Sequence, residues 1–139
     1  MSTTRPQVLI SGASAGLGAA FARAYAQRGC DLILTARRAQ RLHELAAELS
    51  ARQGITCTVL PADLARPGAA AELFNAITAR GLSVEVLVNN AGYGVPGSYG
   101  GRPWQVHADF QQVMIETVAE LCYLVIPDMR AHRRGNIIN

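Results

Sequence analysis

The stretch Ile10-Ser11-Gly12-Ala13-Ser14-Ala15-Gly16-Leu17-Gly18 joins a short apolar run, Val8-Leu9-Ile10, to a segment with helical spacing. Glycines at 12, 16 and 18 let a backbone turn tightly, with no Cβ between it and whatever it approaches. The first N–H groups of the following helix lack intrahelical partners and carry partial positive charge, so they suit an anion. In an α/β sheet the turn after the first strand is where the diphosphate of a dinucleotide sits. The bland alternative is a tight strand-to-helix connection that holds nothing. Position tips the balance, because the turn directly follows an N-terminal strand and opens an amphipathic helix.

Outward from that turn the chain keeps one rhythm. Apolar runs recur at Val8-Leu9-Ile10, Leu32-Ile33-Leu34, Cys57-Thr58-Val59-Leu60 and Val84 to Val88, and a fifth opens at Asn136-Ile137-Ile138. They are continuous instead of alternating, which suits strands covered on both faces. Helical patterns lie between them. Leu17, Phe21, Ala24, Tyr25 and Arg28 share a face that Gly29 ends; Leu42, Leu45, Ala46 and Leu49 share another that ends at Gly54. Pro67 suits the first turn of a third helix carrying Ala70, Leu73, Phe74 and Ile77. A longer fourth carries Val106, Phe110, Val113, Met114, Val118, Leu121, Cys122 and Val125, with a kink expected at Pro127. Strict alternation predicts right-handed crossovers and one parallel sheet with helices on both sides, in a single domain over residues 1–139.

The literal G-x-G-x-x-G fingerprint is absent, since Phe21 holds its last position. Ser11-Gly12-x-x-x-Gly16-x-Gly18 instead resembles the T-G-x-x-x-G-x-G cofactor loop of the short-chain dehydrogenase/reductase family, with Ser for Thr. Two further segments fit that family in the same order: Ala62-Asp63-Leu64 after the third strand, and Asn89-Asn90-Ala91-Gly92 after the fourth. The resemblance runs from Gln7 to Asn139. It implies a Rossmann-type doubly wound sheet of strand order 3-2-1-4-5, and a nicotinamide cofactor held by Gly12, Ser14, Ala15, Gly16, Leu17 and Gly18. It also implies contacts from Asp63 and Leu64 at the adenine ring and from Asn89, Asn90, Ala91 and Gly92. The activity implied is hydride transfer on a small carbonyl or alcohol substrate, in a protein that is homo-oligomeric at full length.

Cofactor choice turns on the end of the second strand, Leu34-Thr35-Ala36-Arg37-Arg38. A carboxylate there hydrogen-bonds the ribose 2′-hydroxyl of NAD and repels the 2′-phosphate of NADP. None stands between Asp31 and Glu44, and Asp31 falls at the wrong end of its strand. Arg37 and Arg38 match phosphate geometry with their guanidinium forks, a contact worth ~1.5–3 kcal/mol. NADP is therefore favoured over NAD. The family's other NADP marker, a basic residue before the second loop glycine, is replaced by Ala15.

The family's catalytic Tyr-x-x-x-Lys cannot occur here, because all thirteen basic residues are arginine. Tyr25, Tyr93, Tyr99 and Tyr123 are followed at the fourth position by Gly29, Gly97, Pro103 and Pro127. The family's asparagine on the fourth helix is also missing, with Met114 or, in a shifted register, Thr117 in its place. No catalytic residue is therefore assigned. The expectation is a cofactor-binding N-terminal part of a longer enzyme, truncated within its fifth strand and inactive alone. The alternative is a nucleotide-binding pseudoenzyme or regulatory module. Gly12-Ala13-Ser14-Ala15-Gly16 also satisfies the G-x-S-x-G elbow of α/β-hydrolases, with Ser14 as nucleophile. Gly18, the place after the very first strand and the Asn89 to Gly92 segment stand against that third reading.

Composition narrows the rest. Half of the 139 residues are apolar, and the net charge of +3 is too small for a nucleic-acid footprint. No apolar run reaches membrane-spanning length, and the Met1 to Gln7 segment leads into too short a run for a signal peptide. Cys30, Cys57 and Cys122 form no C-x-x-C pair, so buried free thiols in the cytoplasm are expected and no metal. His43, His107 and His132 have no ligand spacing and are expected at the surface or in loops.

Overall fold

A computed structural model describes residues 4–139, so the first three residues of the Met1–Gln7 segment lie outside it. Five parallel strands form one sheet in the order β3-β2-β1-β4-β5. They are β1 (Gln7–Ser11), β2 (Asp31–Thr35), β3 (Cys57–Val59), β4 (Val86–Val88) and β5 (Asn136–Ile138). The crossovers are α1 (Gly16–Gln27), α2 (Ala39–Gln53) and α3 (Ala69–Thr78). The last is a long helix in two parts, α4 (Trp104–Gln111) and α5 (Thr117–Ala131), joined by a π-helical turn over Gln112–Glu116. The expected sheet and strand order are both present.

Successive side chains on a strand point to opposite faces, and the core divides accordingly. Val8, Ile10, Leu32, Leu34, Val86 and Val88 pack with α1 and α2. Leu9, Ile33 and Leu87 face the other way, onto α3 and α5. Continuous apolar runs are what such double burial requires. The register sets Ser11 beside Thr35 and Ile10 beside Val88, so the strands finish level along one edge.

Three helical expectations are corrected. α1 buries Gly18, Ala19, Ala22 and Ala26, while Leu17 is 73% exposed. Small residues win this face because they let the helix lie close to the sheet. α3 begins at Ala69, not at Pro67, because Gly68 turns the chain through φ +83° first. In the long helix the buried residues are His107, Val113, Thr117, Leu121, Val125 and Met129, and Met114 is exposed. The π turn adds a residue and rotates the inward face by about 100°. The helix continues through Pro127 to Ala131.

His107 also departs from expectation. It is buried, its Nε2 lies 2.7 Å from the Tyr99 carbonyl oxygen, and its ring stacks on Tyr99 with centroids 4.2 Å apart. The three cysteines are free, Cys30 buried and the other two half-buried. Among the described residues no helix is long and apolar enough to cross a membrane. No cluster of three or more His, Cys, Asp or Glu side chains there is arranged for a metal ion.

Candidate functional site

The β1–α1 turn is locked to the end of β4. Ser11 is buried, and its hydroxyl accepts the backbone N–H groups of Asn90 at 3.1 Å and Ala91 at 2.9 Å. The Asn90 amide donates back to the Ser11 and Gly12 carbonyls, both at 3.2 Å. Two glycines make this closeness possible. A Cβ on Gly18 would stand 2.1 Å from the Gly12 carbonyl oxygen. One on Gly12, whose φ is +65°, would stand 2.9 Å from Ala91 Cα.

The N-terminus of α1 is left electrostatically open. Ala15 precedes the helix without a capping side chain, and no acidic residue stands in the first turn. The first intrahelical bond runs from the Ala19 N–H to the Ala15 carbonyl. The N–H groups of Gly16, Leu17 and Gly18 are thus the unsatisfied donors every helix start carries.

At the neighbouring β2–α2 turn the groups are side chains. Arg38 Nη2 donates to Ser14 Oγ at 3.1 Å, bridging the two turns. Arg37 faces the same cleft and has no ion-pair partner within 4.0 Å among the described residues. Asp31 lies at the far end of β2, where it accepts the Thr56 N–H at 2.8 Å and faces Arg5 at 3.7 Å.

One cleft of about 620 Å³ gathers most of the expected residues: Gly12, Ser14, Ala15, Gly16, Leu17, Arg37, Arg38, Asp63, Leu64, Asn90, Ala91 and Gly92. Gly18 and Asn89 are not on its wall. Gly18 packs under the turn, and the Asn89 amide points elsewhere, donating to Asn139 Oδ1 at 2.8 Å and Cys122 Sγ at 3.5 Å. The cleft also takes in Ala36, Ala62, Ala65, Tyr93, Asp109 and Val113. Asp109 had a faint signal, as a charge one turn ahead of apolar Val113 on the same helical stripe. Ala36 and Ala62 fall within segments already singled out, and Ala65 had no signal.

Asp63 Oδ1 accepts the Ala65 N–H at 3.1 Å, shaping the turn after β3. The Thr117 hydroxyl donates to the Leu64 carbonyl at 3.0 Å and ties α5 to that turn. Tyr93 meets Phe110 edge-to-face with centroids 5.7 Å apart. Its phenol ionises above the usual tyrosine range, first because it is partly desolvated and then because of the Asp109 charge, with Arg37 opposing. Ser14 has Arg38 as its side-chain partner, and no histidine lines the cleft among the described residues.

A parallel doubly wound sheet with a glycine turn, an uncapped first helix and an arginine-bearing second turn defines a dinucleotide-type binding protein. The sequence profile of the short chain dehydrogenase family matches residues 6–139. An uncharacterized oxidoreductase of Mycobacterium tuberculosis is 35% identical over 120 residues, 85% of this chain and 47% of that protein. The short-chain dehydrogenase of Sphingobium yanoikuyae, solved in complex with NADPH, superposes with a TM-score of 0.87 at 34% identity, over 95% of this chain and 51% of its own. The bulky-bulky ketone specific alcohol dehydrogenase of Comamonas testosteroni gives 0.89 at 30%, over 97% and 54%. The chain belongs to the short-chain dehydrogenase family, a family of oxidoreductases, and spans about half the length of the relatives it matches.

Proposed function

We propose that this chain is the cofactor-binding part of an NADP-dependent oxidoreductase that moves a hydride between the nicotinamide and a small carbonyl or alcohol substrate. The observation that carries the reading is the uncapped α1 N-terminus beside the Gly12–Gly18 contact, with Arg37 in the same cleft and unpaired among the described residues. These residues fit the group. Bare N–H donors with no Cβ in the way suit a diphosphate, and two guanidinium groups suit a further phosphate. The Sphingobium relative's complex with NADPH and the ketone specificity of the Comamonas enzyme support the same cofactor and substrate class.

In this reading the Gly16 and Leu17 amides bind the diphosphate, and Arg37 and Arg38 bind the 2′-phosphate. Asp63 and Leu64 meet the adenine, and Asn90, Ala91 and Gly92 line the adenosine ribose. Asn89 and Gly18 act indirectly, by holding the ends of β4 and β1. The bound nicotinamide supplies the hydride. No lysine occurs in these 139 residues, so a Tyr-x-x-x-Lys pair must come from residues outside them. A coding sequence that continues without such a pair would favour a nucleotide-binding regulatory module.

A cytoplasmic location is part of this proposal, and the three free thiols support it. Ile115, Tyr123 and Ile126, exposed on the long helix, make that helix the natural contact between copies of the full-length protein. The decisive test is a calorimetric titration of the purified chain with NADPH and NADH. NADPH should bind more tightly; affinity for neither would overturn the proposal.

A further inference from the structure

Around its π turn the long helix meets the cleft in three places. Val113 lines the cavity itself. Met114 lies close against Gly92, where an added Cβ would stand 2.8 Å from its sulfur. Thr117 reaches the turn after β3, at Leu64. Gly92 and Leu64 belong to cleft walls that follow different strands, so one short stretch of helix braces both.

The contact made by Thr117 stands out. A threonine inside a helix ordinarily turns its hydroxyl back to a carbonyl three or four residues earlier. Thr117 is 2% exposed, and its hydroxyl instead donates to the Leu64 carbonyl at 3.0 Å, 53 residues away. Among the described residues that carbonyl has no other donor. The same turn is shaped from within by Asp63, whose Oδ1 accepts the Ala65 N–H and whose carbonyl accepts that of Arg66. The added residue of the π turn aims Thr117 at it, since without that residue the helix face would swing by about 100°.

We propose that Thr117 is a positioning residue for nucleotide binding: its hydroxyl holds the turn at Asp63 and Leu64 in its receiving place before any nucleotide arrives. The inference rests on the cofactor reading above and deepens it, because affinity for the adenine half then depends on a side chain outside the cleft. Thr117 itself touches no ligand. A turn already held in place needs no ordering by the ligand. A turn that samples other positions lowers affinity by the fraction of time it spends away. One buried hydroxyl-to-carbonyl bond supports a change of up to about tenfold.

The test is calorimetry on the chain and on Thr117→Val, which keeps the side-chain shape and removes the donor, at a temperature where circular dichroism shows both folded. Thr117→Val should weaken NADPH and NADH by the same factor, about five- to tenfold. Inorganic pyrophosphate, which has no adenine, should bind as before, whereas a general loosening of the fold would weaken all three. Thr117→Ser keeps the hydroxyl and should restore the affinity. In the unmodified chain the Ala65 and Arg66 amides should resist hydrogen exchange before nucleotide is added, a measurement that needs no variant. Unchanged NADPH binding by Thr117→Val, equal weakening of pyrophosphate or no recovery with Thr117→Ser would overturn the role of Thr117. So would free exchange of those two amides until NADPH binds. If the unmodified chain binds neither nucleotide, the cofactor reading fails and this role with it, a result distinct from the others.

Discussion

The two turns along the top of the sheet do similar work with opposite materials. Between β1 and α1 the free donors are backbone amides, and the close contact of the turn depends on the missing side chains of Gly12 and Gly18. Between β2 and α2 the working groups are long cationic side chains on an ordinary turn. The backbone turn has no room for an added Cβ at Gly12 or Gly18, because atoms there already touch. A side-chain site can be retuned by one substitution without disturbing the fold. On the proposed reading, the invariant part of a nucleotide and its variable part are thus met by different physics within one cleft.

Gly18→Ala should break this contrast most severely. The new Cβ would fall 2.1 Å from the Gly12 carbonyl oxygen, and backbone cannot swing aside. Destabilisation on the order of 3 kcal/mol is expected in urea melts, together with loss of both nucleotides. Ser11→Ala comes next. It strands the part-buried N–H of Ala91 and leaves that of Asn90 with the Val88 carbonyl alone, for a loss of about 1–2 kcal/mol in the same melts. Ser11→Thr keeps the hydroxyl and should recover most of it.

Arg37→Ala probes the other turn. It should weaken NADPH by about tenfold and NADH little, with an unchanged melting curve. Equal losses for the two nucleotides would refute the assignment of Arg37 to the 2′-phosphate. Ser14→Ala is expected to do least. Its hydroxyl accepts only from exposed Arg38, so stability should change by under about 0.5 kcal/mol. Any ester hydrolysis abolished by this substitution would revive the nucleophile reading of Gly12-Ala13-Ser14-Ala15-Gly16.

The legibility of the site follows the same division. The glycine turn, Asn90 to Gly92 and Asp63 could be read directly because each is a local feature at a fixed place after a strand. Arg37 was readable because its register at the end of β2 follows from the strand's apolar run. Asp109 was hardly so, since its place on the cleft wall depends on how a long helix lies across the sheet. The π turn hid the buried face of that helix, because an added residue breaks the periodicity that would reveal it. His107 was misjudged for a related reason: its burial comes from Tyr99, in the turn before the helix.

From the amino-acid order alone come the alternation of strands and helices, the parallel sheet and the place of the glycine turn. Those depend on burial patterns and backbone freedom within a few residues, which local chemistry dictates. Tertiary structure alone decided that Asn90 clamps the first turn, that Asn89 faces away, and that two carboxylates from distant segments line one cleft. Such pairings are made by segments far apart along the chain, and only the packing of helices on the sheet sets their separation.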